Sequence, residues 1–168
     1  MATTTDGTAN GIDALDLTTR VRRRVLPALH RVKEPLGGYA ICRQHPSEFV
    51  GTLERDLDAV RSLLVELDFE REPIASLKIR DDGRRSAGSW VRRDSPLATR
   101  QLHVTLFRAE SGAIEVFAHR EYSWLRHPYK HYTQDGWDSR GGVERMRALL
   151  SARNVSYRRD GSATTAAD

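Results

Sequence analysis

Two segments near the middle of the chain leave little freedom in how it folds. Gln101 to Arg108 and Ala113 to Tyr122 both alternate apolar with polar residues, and Glu110, Ser111 and Gly112 separate them, which predicts an antiparallel hairpin. With those residues as the loop, Ala109 pairs with Ala113 and the two numbers of every cross-strand pair sum to 222. Val104 then meets Ala118 and Leu106 meets Val116 on a wholly apolar face. The other face sets His103 opposite His119, Thr105 opposite Phe117 and Phe107 opposite Glu115. A two-residue loop would put Val104 against His119 and mix the faces, and a strand with one buried face does not tolerate that slip. Two imidazoles are therefore expected side by side, with Cβ atoms about 5 Å apart.

Leu102-His103-Val104-Thr105-Leu106 is similar to the His-x-Thr motif of the two-histidine phosphoesterases, in which paired His-x-Thr/Ser motifs hold a phosphate and act as general acid and base. The resemblance is confined to these few residues, and His119-Arg120-Glu121 has no Thr or Ser in the third position. It implies a phosphoesterase or nuclease with His103, Thr105 and His119 as catalytic candidates. Imidazoles titrate near neutrality, so His103 as base and His119 as acid is reasonable chemistry without a metal.

Around this hairpin the periodicity predicts an α+β fold. Val21, Val25, Leu29 and Val32 form an apolar stripe on a helix over 12–32, interrupted by Pro27, with Arg20, Arg22, Arg23, Arg24, Arg31 and Lys33 on its other face. A short apolar strand follows over 38–43. Val50, Leu53, Leu57, Val60, Leu64 and Leu67 recur at helical spacing and predict one helix over 46–68, its first turn Pro46-Ser47-Glu48. From Pro73 the period is two, and Asp81-Asp82-Gly83 suggests a hairpin with Arg84 to Arg93 as the return strand. Asp138-Ser139 opens a last helix that ends near Asn154. The expected architecture is a single α+β domain over 12–159, a mainly antiparallel sheet of four to five strands against two or three helices. Residues 1–11 and 160–168 read as disordered tails.

The 168 residues include 27 Lys and Arg against 23 Asp and Glu, and only Lys33, Lys78 and Lys130 are lysines. Arginine is the better phosphate fork, although a GC-rich coding sequence would produce the same bias, so placement matters more than number. Residues 47–72 hold eight acids against three arginines, whereas 78–93 holds six cations against Asp81 and Asp82. No run of residues is apolar enough to span a membrane, and no secretory leader is recognisable, so a cytoplasmic protein without membrane contact is expected. Cys42 is the sole cysteine, which excludes an internal disulfide and a CxxC knuckle. Gly-rich phosphate loops and a serine nucleophile elbow are absent as motifs.

Two stretches are candidates for binding. Segment 119–138 interleaves cations with aromatics: Arg120, Tyr122, Trp124, Arg126, Tyr129, Lys130 and Tyr132 would supply rings for bases and charge for phosphates. The hairpin adds Arg84, Arg85, Trp90, Arg92 and Arg93 as a basic ribbon. DNA or RNA is the expected partner, with a protein partner as the alternative, since Trp, Tyr and Arg also dominate protein interfaces. His127 and His131 have an x3 spacing that can share an ion, with His119, Asp135 or Asp138 as a third ligand. Without cysteines or a His-Glu-x-x-His pattern, no metal site and no cofactor is assigned from sequence.

Overall fold

The structure, a computed structural model, describes residues 7–36, 38, 40–72 and 75–159. Two compact units are present, one formed by the chain up to Cys42 with 73–77, the other by Arg43–Glu72 with the chain from Lys78 onward. The first contains α1 (Gly7–Lys33) and a 3-10 turn, Glu34–Leu36. The helix begins within the expected amino-terminal tail, and Pro27 lies inside it. Residues 1–6 and 160–168 of the expected tails are outside the described residues, as is Tyr39 of the expected strand over 38–43.

The second unit is built on a five-stranded antiparallel sheet. Its strands, in chain order, are β2 (Phe49–Leu53), β3 (Glu70–Arg71), β5 (Gly88–Arg92), β6 (Arg100–Arg108) and β7 (Ile114–Tyr122), and their order across the sheet is β2-β7-β6-β5-β3. The short β1 (Ile41–Arg43) and β4 (Leu77–Ile79) form a separate two-stranded sheet. The helices of this unit are α2 (Leu57–Glu66), the short α3 (Pro128–Tyr132) and α4 (Ser139–Ala152). The α+β class expected from sequence is the class found, and β6 pairs with β7 in the expected register, from Arg100 opposite Tyr122 to Arg108 opposite Ile114. Gly112 takes φ +87 in the connecting turn, a conformation glycine adopts at least cost.

Both faces of this hairpin are buried. On one, Leu102, Val104, Leu106, Val116 and Ala118 meet Leu57, Val60 and Leu64 of α2 and Val143, Met146 and Leu150 of α4 in one apolar core. Gly142 brings α4 down onto β7, where a Cβ would stand 2.2 Å from the His119 Cα. The opposite face is apolar at one end, where Phe117 makes edge contacts with Phe49 and Phe107. At the other end it carries Gln101, His103, His119 and Glu121, all buried.

Two expected elements differ. Residues 46–68 are not one helix: Pro46–Glu48 is a 3-10 turn, Phe49–Leu53 is strand β2, and only Leu57–Glu66 is helical. Helical spacing of Val50 and Leu53 with Leu57 is coincidental, because strand burial also hides Gly51 and Thr52 between them. Gly51 admits the backbone of Arg158, which hydrogen-bonds Thr52 in both directions, and Asp56 caps α2 by accepting from Ala59 N at 2.8 Å. The basic hairpin is likewise short. Ile79 bridges Arg85 around Gly83, after which β5 leaves to pair with β6 and β3 while β4 pairs with β1. None of the described helices is long and apolar enough to cross a membrane.

Candidate functional site

The polar end of the β6–β7 face is a closed network of imidazoles and carboxylates. His103 Nδ1 lies 3.2 Å from His119 Nε2, with the rings edge to face. His119 Nδ1 lies 3.2 Å from Glu48 Oε2, which also accepts from Gln44 Nε2. Glu121 stands astride the pair, Oε1 3.4 Å from His103 Nδ1 and Oε2 3.5 Å from His119 Nε2, and its Oε1 accepts from Gln101 Nε2 at 2.8 Å. Trp137 stacks on the His119 ring, centroids 3.6 Å apart, and the Lys78 ammonium lies over the same indole.

Strand alternation puts His103, His119, Gln101 and Glu121 on one face, and cross-strand pairing sets His103 opposite His119 and Gln101 opposite Glu121. The 3-10 turn at Pro46–Glu48 delivers Glu48 from the side, just before β2 joins the β7 edge. On the far side of Phe49, the first residue of β2, that edge is taken by Asp138, which bridges Arg120 and follows Trp137, stacked on His119.

The cluster carries its protons unevenly. Burial, opposed by the charge of Glu121, holds the His103 imidazole down at about 3, and the neighbouring His119, Lys78 and His131 act in the same sense as burial. For His119 burial also disfavours the cation, but hydrogen bonds to Glu121 and Glu48 overcome it and raise its pKa above the usual 6.5. Burial opposes ionisation of Glu121, yet the three imidazoles around it hold its carboxyl well below the ordinary 4.5. His103 is thus neutral at neutral pH, while the contacts to Glu48 and Glu121 favour the imidazolium form of His119. His103 Nε2 is buried and meets no hydrogen-bond partner among the described residues.

The expected site residues are distributed as follows. His103, Thr105 and His119 share the face, but all three are buried, the imidazoles to 6% and 1% exposure. Trp90, expected on the basic ribbon, is in the apolar core at 2% exposure, because it points with Val104 toward the helices. Arg84 is paired with Asp82 and Glu115, and Arg93 with Glu70, Glu72 and Gln101, while Arg92 approaches Asp68. Arg85 is exposed. Arg120, Arg126, Tyr129 and Lys130 are exposed, and Tyr122 lies between Arg100 and Lys130 at 4.9 and 4.6 Å. Trp124 is half-buried and donates to Glu72, and Tyr132 closes α3.

His127 and His131 do not converge. His127 precedes α3 without a side-chain capping bond and its ring meets Tyr122, while His131 Nδ1 lies 3.0 Å from the Tyr122 carbonyl oxygen and 3.4 Å from Glu121. Sequence reasoning missed Glu48, Glu121, Gln101, Gln44, Lys78 and Trp137. Glu121 and Gln101 were available from the hairpin register, since both share the parity of the histidines; Glu48 was hidden by the helix expected over 46–68. Comparison with family models, characterised proteins and solved structures gives no match for this chain.

The proton inventory sets a pH dependence. His103 has a folded pKa below its unfolded value, so its contribution is fully present above pH 6.5 and is lost as pH falls toward about 3. The loss from this group is about 1.4 kcal/mol per pH unit. His119 has the opposite sign: its contribution is present below pH 6.5 and lost as pH rises through its raised pKa. In urea unfolding, the native chain is expected to lose stability on acidification more steeply than His103→Asn between pH 6.5 and about 3. Parallel curves would show that His103 is not held neutral.

Proposed function

We propose that this chain is a metal-binding protein in which His103, His119 and Glu121 hold one divalent transition-metal ion. The observation that carries the reading is the spacing of the donors. One donor atom from each residue lies within 4.8 Å of the other two; the two nitrogens are 3.2 Å apart, and Glu121 approaches them through different oxygens, Oε1 at 3.4 Å from His103 Nδ1 and Oε2 at 3.5 Å from His119 Nε2. Ligands at the 2.0–2.2 Å distances of zinc, arranged tetrahedrally, stand about 3.3–3.5 Å from one another. The ion would take the place of the proton that His119 shares with His103.

The surroundings favour the same reading. His119 has Nε2 toward the ion position and Nδ1 on Glu48, the carboxylate–histidine pairing that orients metal-ligating imidazoles. Gln101 orients the Glu121 carboxylate in the same way. Two imidazoles and a carboxylate are a borderline donor set suited to zinc or iron(II) rather than to calcium or magnesium. His131 is not one of the converging donors; its Nδ1 donates to the Tyr122 carbonyl. Three protein donors thus leave one coordination position, and Trp137 and Lys78 stand over the cluster. A metal here would supply a polarising charge to whatever ligand takes that position, and it would cross-link β6 to β7, with Glu48 and Trp137 held on the ligand His119.

A second reading, nucleic-acid binding, is favoured by one observation: Tyr122 is flanked by the Arg100 and Lys130 cations beside exposed Arg126 and Tyr129. The surface is smaller than the sequence suggested, because Trp90 is internal and the arginines at 84 and 93 are matched by acids.

For the metal, apo protein titrated with zinc in a calorimeter is expected to bind one equivalent and to unfold at higher temperature when loaded. His103→Ala and Glu121→Gln should each weaken binding by at least about tenfold. Unchanged affinity in both variants would refute the site. For nucleic acid, polarisation with a single-stranded oligonucleotide should show affinity that falls steeply with salt and falls further in Lys130→Ala and Arg126→Ala. Salt-independent or absent binding would end that reading.

A further inference from the structure

The amino-terminal helix presents a face that the fold leaves uncovered. Leu17, Val21, Val25, Leu29 and Val32 of α1 are 63%, 52%, 53%, 40% and 64% exposed. At about 100° per residue they occupy one arc of roughly 120°, and the stripe runs about 22 Å along the axis. Its borders are cationic. Arg20, Arg24 and Arg31, all exposed, line one edge, and Lys33 lies beyond the other. No acid occurs in α1 from Leu17 to Lys33, and Glu34, just past its end, is paired with His30 on the far side of the helix. Leu26 and His30, turned away from the stripe, are partly buried, and Arg22, between the stripe and Lys33, donates to the Ala75 carbonyl.

We propose that α1 lies in the plane of an anionic membrane surface, its Leu/Val stripe inserted at the headgroup boundary and its arginines on lipid phosphates. The argument is charge complementarity around an apolar face. An interfacial helix combines an apolar arc with Lys and Arg along the polar margins and low overall hydrophobicity. A second copy of this chain is disfavoured as the occupant, because stripe-on-stripe packing sets the arginine border against itself when antiparallel and against the Arg22 and Lys33 border when parallel, with no acid between Leu17 and Lys33. Nucleic acid would use the arginines and leave the Leu and Val residues in water. An anionic bilayer satisfies both parts at once, since guanidinium groups fork onto phosphate while the aliphatic side chains leave water. Insertion in the interface needs no spanning segment, and none of the described helices could span.

The inference is independent of the metal centre and is tested on the full chain by co-sedimentation with vesicles of phosphatidylcholine alone and of phosphatidylcholine with phosphatidylglycerol. The native chain is expected to pellet with the anionic vesicles, not with the neutral ones, and less so as salt rises. The double variant Val25→Asp, Leu29→Asp changes exposed positions only and should abolish pelleting. Arg20→Gln, Arg24→Gln and Arg31→Gln together should weaken it by roughly a hundredfold, the worth of three cations at such a surface. Three results would overturn the proposal. One is failure to pellet with anionic vesicles. Another is pelleting that the aspartate variant retains, which would assign lipid contact to another basic surface. The third is a native dimer in light scattering that the aspartate variant converts to monomer without any vesicle binding, which would make a second copy the occupant.

Discussion

Two imidazoles buried side by side are a constraint that the surrounding structure has to satisfy. Neither His103 nor His119 reaches solvent, so each nitrogen that carries charge or a proton calls for a partner within the protein, and of their four nitrogens only His103 Nε2 has none among the described residues. Two adjacent imidazolium ions would repel, and two neutral rings would leave the Glu48 and Glu121 carboxylates buried without a cation between them. The contacts to Glu48 and Glu121 favour the cation on His119, and burial holds His103 neutral. Glu48 and Glu121 are in turn fixed by Gln44 and Gln101. A buried ion network of this kind is weak evidence of stabilisation, because desolvation of its members is costly even when their geometry is good. Ligand binding is a more economical reason for its presence, since the donor spacing that suits a shared proton also suits a shared metal ion.

The rest of the second unit can be understood as what brings these groups together. A hairpin of two nine-residue strands with both faces buried supplies four of them at fixed register. The apolar face anchors it to α2 and α4, and Gly142 permits the close approach of α4 to the strand that carries His119. On the polar face, chain segments from both sides of the sheet edge close over the cluster, with Glu48 arriving before β2 and Trp137 before α4.

The hairpin was legible because its alternation and its Glu-Ser-Gly loop permit only one register, and the opposition of His103 to His119 follows from that alone. That both faces would be buried was not legible, since Gln101, His103, Thr105 and Glu121 are residue types that ordinarily face water. Residues 46–68 misled because Val50, Leu53 and Leu57 happen to satisfy helical spacing across a strand and a turn, and this concealed Glu48 on a tight turn beside His119. Trp90 has the composition of a binding ribbon around it, yet pairing of β5 with β6 turns the indole toward the helices. Charge balance had a similar limit: Asp82 meets Arg80 and Arg84 locally, but the further acids of these arginines and of Arg93, Glu115, Glu70 and Glu72, come from other strands and the chain beside them. The stripe on α1 was read correctly as amphipathic, but periodicity does not distinguish a face that packs within the unit from one that meets something else.

The most direct test of the central claim is X-ray absorption at the zinc edge of the zinc-loaded chain. The account predicts a first shell of nitrogen and oxygen only, at about 2.0–2.1 Å, with the outer-shell scattering of two imidazoles. A sulfur neighbour at about 2.3 Å, which would implicate Cys42, or a shell without imidazole scattering would contradict it.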